Sequence, residues 1–357
     1  MRPRLKRHPS GKPALDPAAP AKILLLRLRR IGDIVLTTPA VSALKQSFPN
    51  ASLTYIVEEP YARLVEGHPA LDRVISVKPK LKAGDSLRLI RRIRKERYDA
   101  VLDFHGGPRT SQWTFFSGAR VKVGYLIRGR GWPYDVAISR SGPDGPIHSV
   151  ENHLNLVRAL GARIAEAPPL SLPPARDEEK AHVARVFRDN GLEGSRVVVL
   201  HVGAGNRFRD WGLENLAALA RRLTDIPGVK VVLIGGEADR ERGRKIAGPG
   251  PAGALSLIGE LNLIELRETI ARAALFVGSD SGPMHIAAST PTPIVAFFGP
   301  TMPAHFAPRR GQATVIEKDL ACRPCKQKEC APGDFRCLGA ISVDEVFDAC
   351  RFFLRKK

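Results

Sequence analysis

The stretch Leu275-Phe276-Val277-Gly278-Ser279-Asp280-Ser281-Gly282-Pro283-Met284-His285-Ile286-Ala287-Ala288 decides how the rest of the chain is read. Its apolar head has the composition of a buried parallel strand, Gly278 to Gly282 that of the turn leaving the strand's carboxyl end, and Met284 to Ser289 opens a helix. In an open α/β sheet ligands bind at that edge, where glycines let an anion approach and helix N–H groups face it. Asp280 and Ser281 also have a simpler reading as helix caps. A carboxylate, a hydroxyl and an imidazole within six residues, however, exceed what a packing turn needs.

Outward from this stretch the same unit recurs. Ile294 to Phe298 ends in Gly299-Pro300-Thr301, and Val229 to Ile234 ends in Gly235-Gly236-Glu237. Arg196 to Leu200 runs into His201-Val202-Gly203-Ala204-Gly205, with Arg207 and Arg209 just beyond. Further back, Lys22 to Leu28 precedes Arg29-Arg30-Ile31-Gly32-Asp33, and Ala100 to Phe104 is closed by His105-Gly106-Gly107. Strands alternating with helical patterns predict doubly wound parallel sheets. Pro168-Pro169-Leu170-Ser171-Leu172-Pro173-Pro174 forbids a regular helix and favours an extended connector. The expected organisation is a disordered basic tail over 1–20, a first domain over 21–167, a linker over 168–176, and a second domain over 177–357. The second domain holds a Cys-rich loop at 322–337 and a C-terminal helix.

At 357 residues, 43% hydrophobic and 26% charged, the chain can bury two cores and is not a disordered polymer. No apolar run approaches bilayer length, and Ile23-Leu24-Leu25-Leu26 is cut at Arg27, too short for a signal-peptide core. A cytoplasmic protein is therefore expected. The net charge of +20 is uneven: residues 1–170 hold 29 Lys and Arg against 14 Asp and Glu, so the first half faces something anionic. Lys78 to Arg97 is the densest piece. A solvated helix face is the plain reading of it; an anionic membrane surface and nucleic acid are the functional ones. Without a helix-turn-helix, an RNA-binding sheet motif or interleaved aromatics, nucleic acid ranks below the membrane.

Asp33 is the one acid in its turn, at a strand-to-helix junction like that of Asp280. It reads as an N-cap or as a functional carboxylate. No Walker motif is present, and Gly203-x-Gly205 lacks the third glycine of a dinucleotide fingerprint. The repetition of glycine turns at strand ends nevertheless favours a nucleotide site. In order and spacing, Arg29 to Ala40, Tyr98 to Asp103, Gly278 to His285 and Phe298 to Thr301 resemble glycosyltransferase family 9, the ADP-heptose:lipopolysaccharide heptosyltransferases, over everything from Lys22 onward. The resemblance implies a GT-B fold, two Rossmann-like doubly wound domains facing a central cleft. It implies inverting, metal-independent transfer of heptose from ADP-heptose to the inner core of lipopolysaccharide, by an enzyme peripheral on the inner face of the cytoplasmic membrane.

Carried onto this chain, Asp33 matches the general base, which takes the proton of the attacking hydroxyl. The donor-side candidates are Gly203, Arg209, Glu237, Leu261, Asp280, Ser281, Gly282 and His285, and the acceptor-side candidates are Arg29, Arg30, Thr37, His105 and Arg128. Arg209 stands where the family usually has lysine, Ser281 where threonine is usual, Trp211-Gly212 where Trp-Pro is common and His105 where Gln is frequent. No cofactor is required for the implied reaction. A sugar-nucleotide epimerase on the same fold and a non-catalytic membrane or nucleic-acid binder are the alternatives. Cys322-x2-Cys325-x4-Cys330-x6-Cys337 opens with a zinc-ligand spacing, but its second gap is not a standard one. A structural zinc and reduced thiols in a loop both stand as readings.

Overall fold

The structure, a computed structural model, describes residues 6–7, 13–129, 131–142, 145–248, 253–309 and 311–355. The chain divides into two compact units between Pro174 and Ala175.

In the first unit, β1 (Lys6–Arg7) pairs antiparallel with β2 (Pro13–Ala14). The main sheet is built from β3 (Ala21–Leu26), β4 (Ala51–Glu58), β5 (Arg73–Val77), β6 (Ala100–Asp103), β7 (Val121–Tyr125) and β8 (Val136–Ile138). All pairings are parallel and the spatial order is β5-β4-β3-β6-β7-β8. The helices α1 (Ile31–Val35) and α2 (Thr38–Ser47) follow β3, α3 (Ala83–Glu96) precedes β6, α4 (Pro108–Phe116) follows it, and α5 (Ser149–Arg158) follows the short antiparallel pair β9 (Ser141–Gly142) and β10 (Gly145–Pro146). Both faces of the sheet are covered, which is why β3 reads as an unbroken apolar run. Leu24 and Leu26 pack with Leu89 and Ile93 of α3 and with Trp113 of α4, while α2 and α5 pack on each other.

Two expectations change here. Of the tail, Arg2, Arg4 and Lys12 lie outside the described residues, but the chain is already docked at Leu15, 2% exposed, whose N–H donates to Leu160 O. An apolar side chain there gives the segment something to bury, which a purely basic tail lacks. The Pro-rich connector is extended but fastened. Ser171 N–H donates to Thr38 Oγ1 at 3.0 Å, and Ser171 Oγ meets His68 Nε2 at 2.9 Å.

The second unit opens with α6 (Asp177–Asp189) and repeats the scheme. Its strands are β11 (Arg196–His201), β12 (Val229–Ile234), β13 (Leu255–Ser256), β14 (Leu275–Ser279), β15 (Ile294–Phe298) and β16 (Ala313–Glu317). They are parallel in the order β13-β12-β11-β14-β15-β16. Between them lie α7 (Leu213–Thr224), α8 (Arg240–Ala247), α9 (Leu263–Ala271), α10 (Gly282–Ala287) and α11 (Pro303–Phe306), followed by α12 (Arg336–Gly339) and α13 (Val343–Arg355). Asn262 starts α9 with a capping box: its Oδ1 accepts from Ile264 and Glu265 N–H, and Glu265 Oε2 accepts from Asn262 N–H. Among the described residues no helix is long and apolar enough to cross a membrane.

Strand order reverses between β3 and β6 in the first unit and between β11 and β14 in the second. Connections that leave neighbouring strands in opposite directions open a crevice at their carboxyl ends. The turns containing Asp33 and His105 flank the first crevice, and those containing Gly203 and Asp280 flank the second.

Candidate active site

In the first unit Arg27 continues the pairing of β3 with β4, its N–H donating to Ile56 O at 3.2 Å, before the chain enters α1. The Arg27 guanidinium is buried, donates from Nη1 to Phe104 O at 2.7 Å and pairs through Nη2 with Asp33 Oδ2 at 2.5 Å. Asp33 lies in the first turn of α1 and its side chain stays 38% exposed, so a fixed carboxylate faces solvent on a buried cationic support. On the neighbouring strand, fully buried Asp103 closes the β6 turn: Oδ1 accepts from His105 and Gly106 N–H, both at 2.9 Å, and Oδ2 from Tyr134 OH at 2.7 Å. Burial pushes the Asp103 carboxyl upward, opposed by these donors.

His105 is half-buried against Gly107, where a Cβ would come within 2.7 Å of its ring. Burial, then the guanidiniums of Arg27 and Arg29, lower its imidazole to about 4. It is therefore neutral at physiological pH, and its buried Nδ1 has no hydrogen-bond partner among the described residues. Tyr125 OH meets His153 Nδ1 at 2.6 Å, and the Arg140 guanidinium lies 4.1 Å over the Tyr125 ring. Asp33, Arg27, His105 and Arg140 thus form one polar group around the crevice, each within electrostatic range of its neighbours.

Arg29 and Arg30 are exposed on the same turn, and Arg128 is exposed on the loop after β7. Thr37 is a correction. It is fully buried, donates to Ile34 O at 2.7 Å and meets Tyr55 OH at 2.9 Å, so it belongs to the packing of α1 and not to a ligand surface.

In the second unit Asp280 is buried, and its carboxylate is an organising centre. Thr301 Oγ1 donates to Oδ2 at 2.7 Å, Arg209 Nη1 stands 3.3 Å from Oδ2, and His285 Nε2 stands 3.7 Å from Oδ1. Arg209 also donates to Asp280 O at 3.2 Å and, through Nε, to Gln327 Oε1 at 3.1 Å. Ser281 caps α10, and its Oγ meets His201 Nδ1 at 3.2 Å. Burial, then Arg242, lowers His201 to about 4, so it too is neutral. Asp280, Ser281, Gly282, His285 and Arg209 are therefore brought together as the sequence suggested. Asp280 itself turns inward: it holds Arg209 and the turn, leaving Gly282 and the guanidinium at the crevice.

Glu237 and Leu261 are not part of this cluster, whereas Gly203 adjoins it: a Cβ there would lie 3.1 Å from Nε2 of His201, the ring that meets Ser281. A Cβ at Gly203 would lie 2.6 Å from Asp239 Oδ2, so that glycine is demanded by Asp239, which accepts from Gly236 N–H at 2.8 Å. Glu237 is exposed and pairs with Arg240, and Leu261 is half-buried in the turn before α9. Sequence reasoning missed Arg27, Arg140, Thr301 and Gln327. The interruption of an apolar strand by Arg27 was a usable signal; the others answer to partners 15 or more residues away.

None of the five cysteines forms a disulfide. Cys322, Cys325, Cys330 and Cys337 line one small cavity with Phe208, Pro300 and Phe335. The donor chemistry suits a soft metal, but among the described residues no three His, Cys, Asp or Glu side chains stand in an arrangement that would hold one. As placed, the four thiols do not fit a zinc ion.

The sequence model of glycosyltransferase family 9 (heptosyltransferase) matches residues 86–335. The chain is 28% identical to lipopolysaccharide heptosyltransferase 3 of Escherichia coli, over 77% of this chain and 82% of that protein. It is also 28% identical to lipopolysaccharide heptosyltransferase 1 of Pseudomonas aeruginosa, over 87% of each. Among solved structures, the ADP-heptose lipopolysaccharide heptosyltransferase II of E. coli superimposes with a TM-score of 0.78 at 22% identity, over 94% of this chain and 99% of that one. That likeness gives the GT-B-like, two-domain α/β fold, and the family match over most of the chain gives the class: this protein belongs to glycosyltransferase family 9, the heptosyltransferases, and is a glycosyltransferase.

Proposed function

We propose that this protein transfers heptose from ADP-heptose, with inversion and without a metal, to the inner core of lipopolysaccharide, with Asp33 as general base. The observation that carries the reading is Asp33 itself: an accessible carboxylate, held by a buried guanidinium, at the switch point of the first sheet. The acceptor hydroxyl must lose its proton as it attacks the anomeric carbon, and a positioned carboxylate takes it. The leaving ADP develops negative charge, for which Arg209 and the backbone N–H groups of the Ser281-Gly282 turn are the fixed donors in the second unit. Arg209 in turn is aimed by Asp280 and Gln327. The relatives' names support heptose, ADP and lipopolysaccharide as the chemistry to test. Arg29 and Arg30, exposed beside Asp33, suit an acidic glycolipid acceptor, and the acceptor's place in a bilayer makes the enzyme peripheral on the inner face of the cytoplasmic membrane.

Incubation with ADP-heptose and a heptose-deficient core acceptor is expected to release ADP only when both are present, with a heptosylated product by mass spectrometry. Donor consumed without acceptor would replace this reading with an epimerase or a hydrolase. The Asp33→Asn protein is expected to bind ADP-heptose normally by calorimetry while turning over about a hundredfold more slowly, or worse.

A further inference from the structure

We propose that the first unit carries a bilayer-docking face, made by Phe115, Phe116 and Trp132 and edged by the cations of α3, which takes an anionic lipid surface. Large apolar side chains left in water in one place mark an interaction site. These three rings, with Leu126 beside them, are each between 45% and 64% exposed. They are grouped, not scattered: the Phe115 ring meets Phe116 at 5.0 Å and Trp132 at 4.8 Å, both edge-on. Leu126 Cδ1 lies 3.5 Å from where a Cβ of Gly131, the residue before Trp132, would stand. The core does not use these rings, because Trp113 fills the space between α4 and α3 and donates to Ser86 Oγ at 3.1 Å.

Charge selects the occupant. Arg94 Cγ lies 3.7 Å from where a Cβ would stand at Gly118, two residues past Phe116. Leu87, Arg91 and Arg94 follow one another at four- and three-residue spacing, which places them on one strip of α3, with Leu87 48% exposed. Leu89 and Ile93 are the inward strip of the same helix. Arg91, Arg94, Lys95 and Arg97 are exposed and form no ion pair among the described residues. Aromatic rings at headgroup depth with unpaired arginines beside them match an interface of phospholipid with excess negative charge. A second copy of this chain would bring the same arginines face to face. The proposal deepens the glycolipid-acceptor reading and relies on it only for its purpose, since lipid binding can be measured without any donor.

Flotation of the full chain with vesicles tests it. Vesicles of phosphatidylcholine with phosphatidylglycerol are expected to carry the protein at least about tenfold better than phosphatidylcholine alone, with binding falling as salt rises. The triple variant Phe115→Ser, Phe116→Ser, Trp132→Ser and the double variant Arg91→Glu, Arg94→Glu should each lose about tenfold or more of that binding. Circular dichroism and Tm should stay unchanged, because these side chains are exposed. The triple variant should also lose transfer to acceptor in vesicles while keeping transfer to a delipidated, water-soluble core acceptor. Equal binding to neutral vesicles, or variants that float like the parent, would overturn the proposal. So would a dimer in vesicle-free buffer that the triple variant dissociates, or salt-sensitive binding of single-stranded DNA with no vesicle binding. Vesicle binding with no transfer to either acceptor would sink the heptosyltransferase reading and leave the docking face standing.

Discussion

Thr37 lies one helical turn past Asp33, and its hydroxyl points away from solvent, bonded to Ile34 O and to the phenol of Tyr55. Replacing Thr37 with Val leaves the buried Tyr55 hydroxyl without that partner, so unfolding by urea should come at a stability lower by about 1–3 kcal/mol. Turnover measured well below the melting temperature should be unchanged, which separates Thr37 from the ligand surface. Arg209 makes a different prediction. Its guanidinium reaches Asp280 O, the Asp280 carboxylate and Gln327 together, a set that one ammonium cannot match. Arg209→Ala should weaken ADP binding by about tenfold to a hundredfold in calorimetry, and should also lower the melting temperature, because it leaves the buried Asp280 carboxylate without its guanidinium. At this scale the residue types at strand ends were legible, but their orientation was not. A capping aspartate and an inward, triply partnered one have the same spelling, and Asp280 is told apart only by Thr301 and Arg209, which the chain brings in from 21 residues after it and 71 before it.

The elements were legible because most strands are largely apolar and several of the turns after them carry glycine, so parallel sheets covered on both faces leave a strong trace in sequence. The Pro-rich segment was readable as extended, but not as fastened, since its anchor is His68, more than 100 residues away. That anchor has a pH dependence. His68 Nδ1 accepts from Ala70 N–H at 3.2 Å, which leaves Nε2 to donate to Ser171, so the ring is held neutral. Burial lowers it to about 4 from the ordinary 6.5. Between those values the unfolded chain takes up a proton that the folded chain refuses, so the contribution is complete above pH 6.5 and is lost as pH falls toward 4. For this one group the loss is at most about 3 kcal/mol. Urea unfolding at pH 7 and pH 5 should show the decline, and His68→Gln should flatten it. An unchanged slope in that variant would assign the effect to other buried histidines such as His201 or His153. The cysteine loop shows the limit of motif reading. Spacing brought the four thiols to one cavity, but coordination depends on side-chain directions that spacing does not encode. Chelation with EDTA during purification should therefore leave folding and transfer intact, and loss of both would require a metal.

Over the whole molecule, one sheet topology is used twice with different chemistry at its switch point. Each unit sets a guanidinium beside a carboxylate there, but in the first the acid faces solvent and the cation is buried, and in the second the acid is buried. The excess of positive charge in the first half was plain from composition, but its use was not, because the exposed rings that give it a direction come together from separate segments at 115–116 and 132. One further feature bears on how the protein is made. Helix α13 closes the core of the second unit with Val346, Cys350, Phe353 and Leu354, Trp211 Nε1 donates to Ile341 O, and Arg196 donates to Leu354 O. The sheet of the first unit is complete at Ile138. During synthesis the first unit can therefore fold while the second is still being translated. The second must wait with β14, β15 and β16 lacking the cover of α13 until residue 354 has left the ribosome, which makes it the half that a chaperone would have to shield.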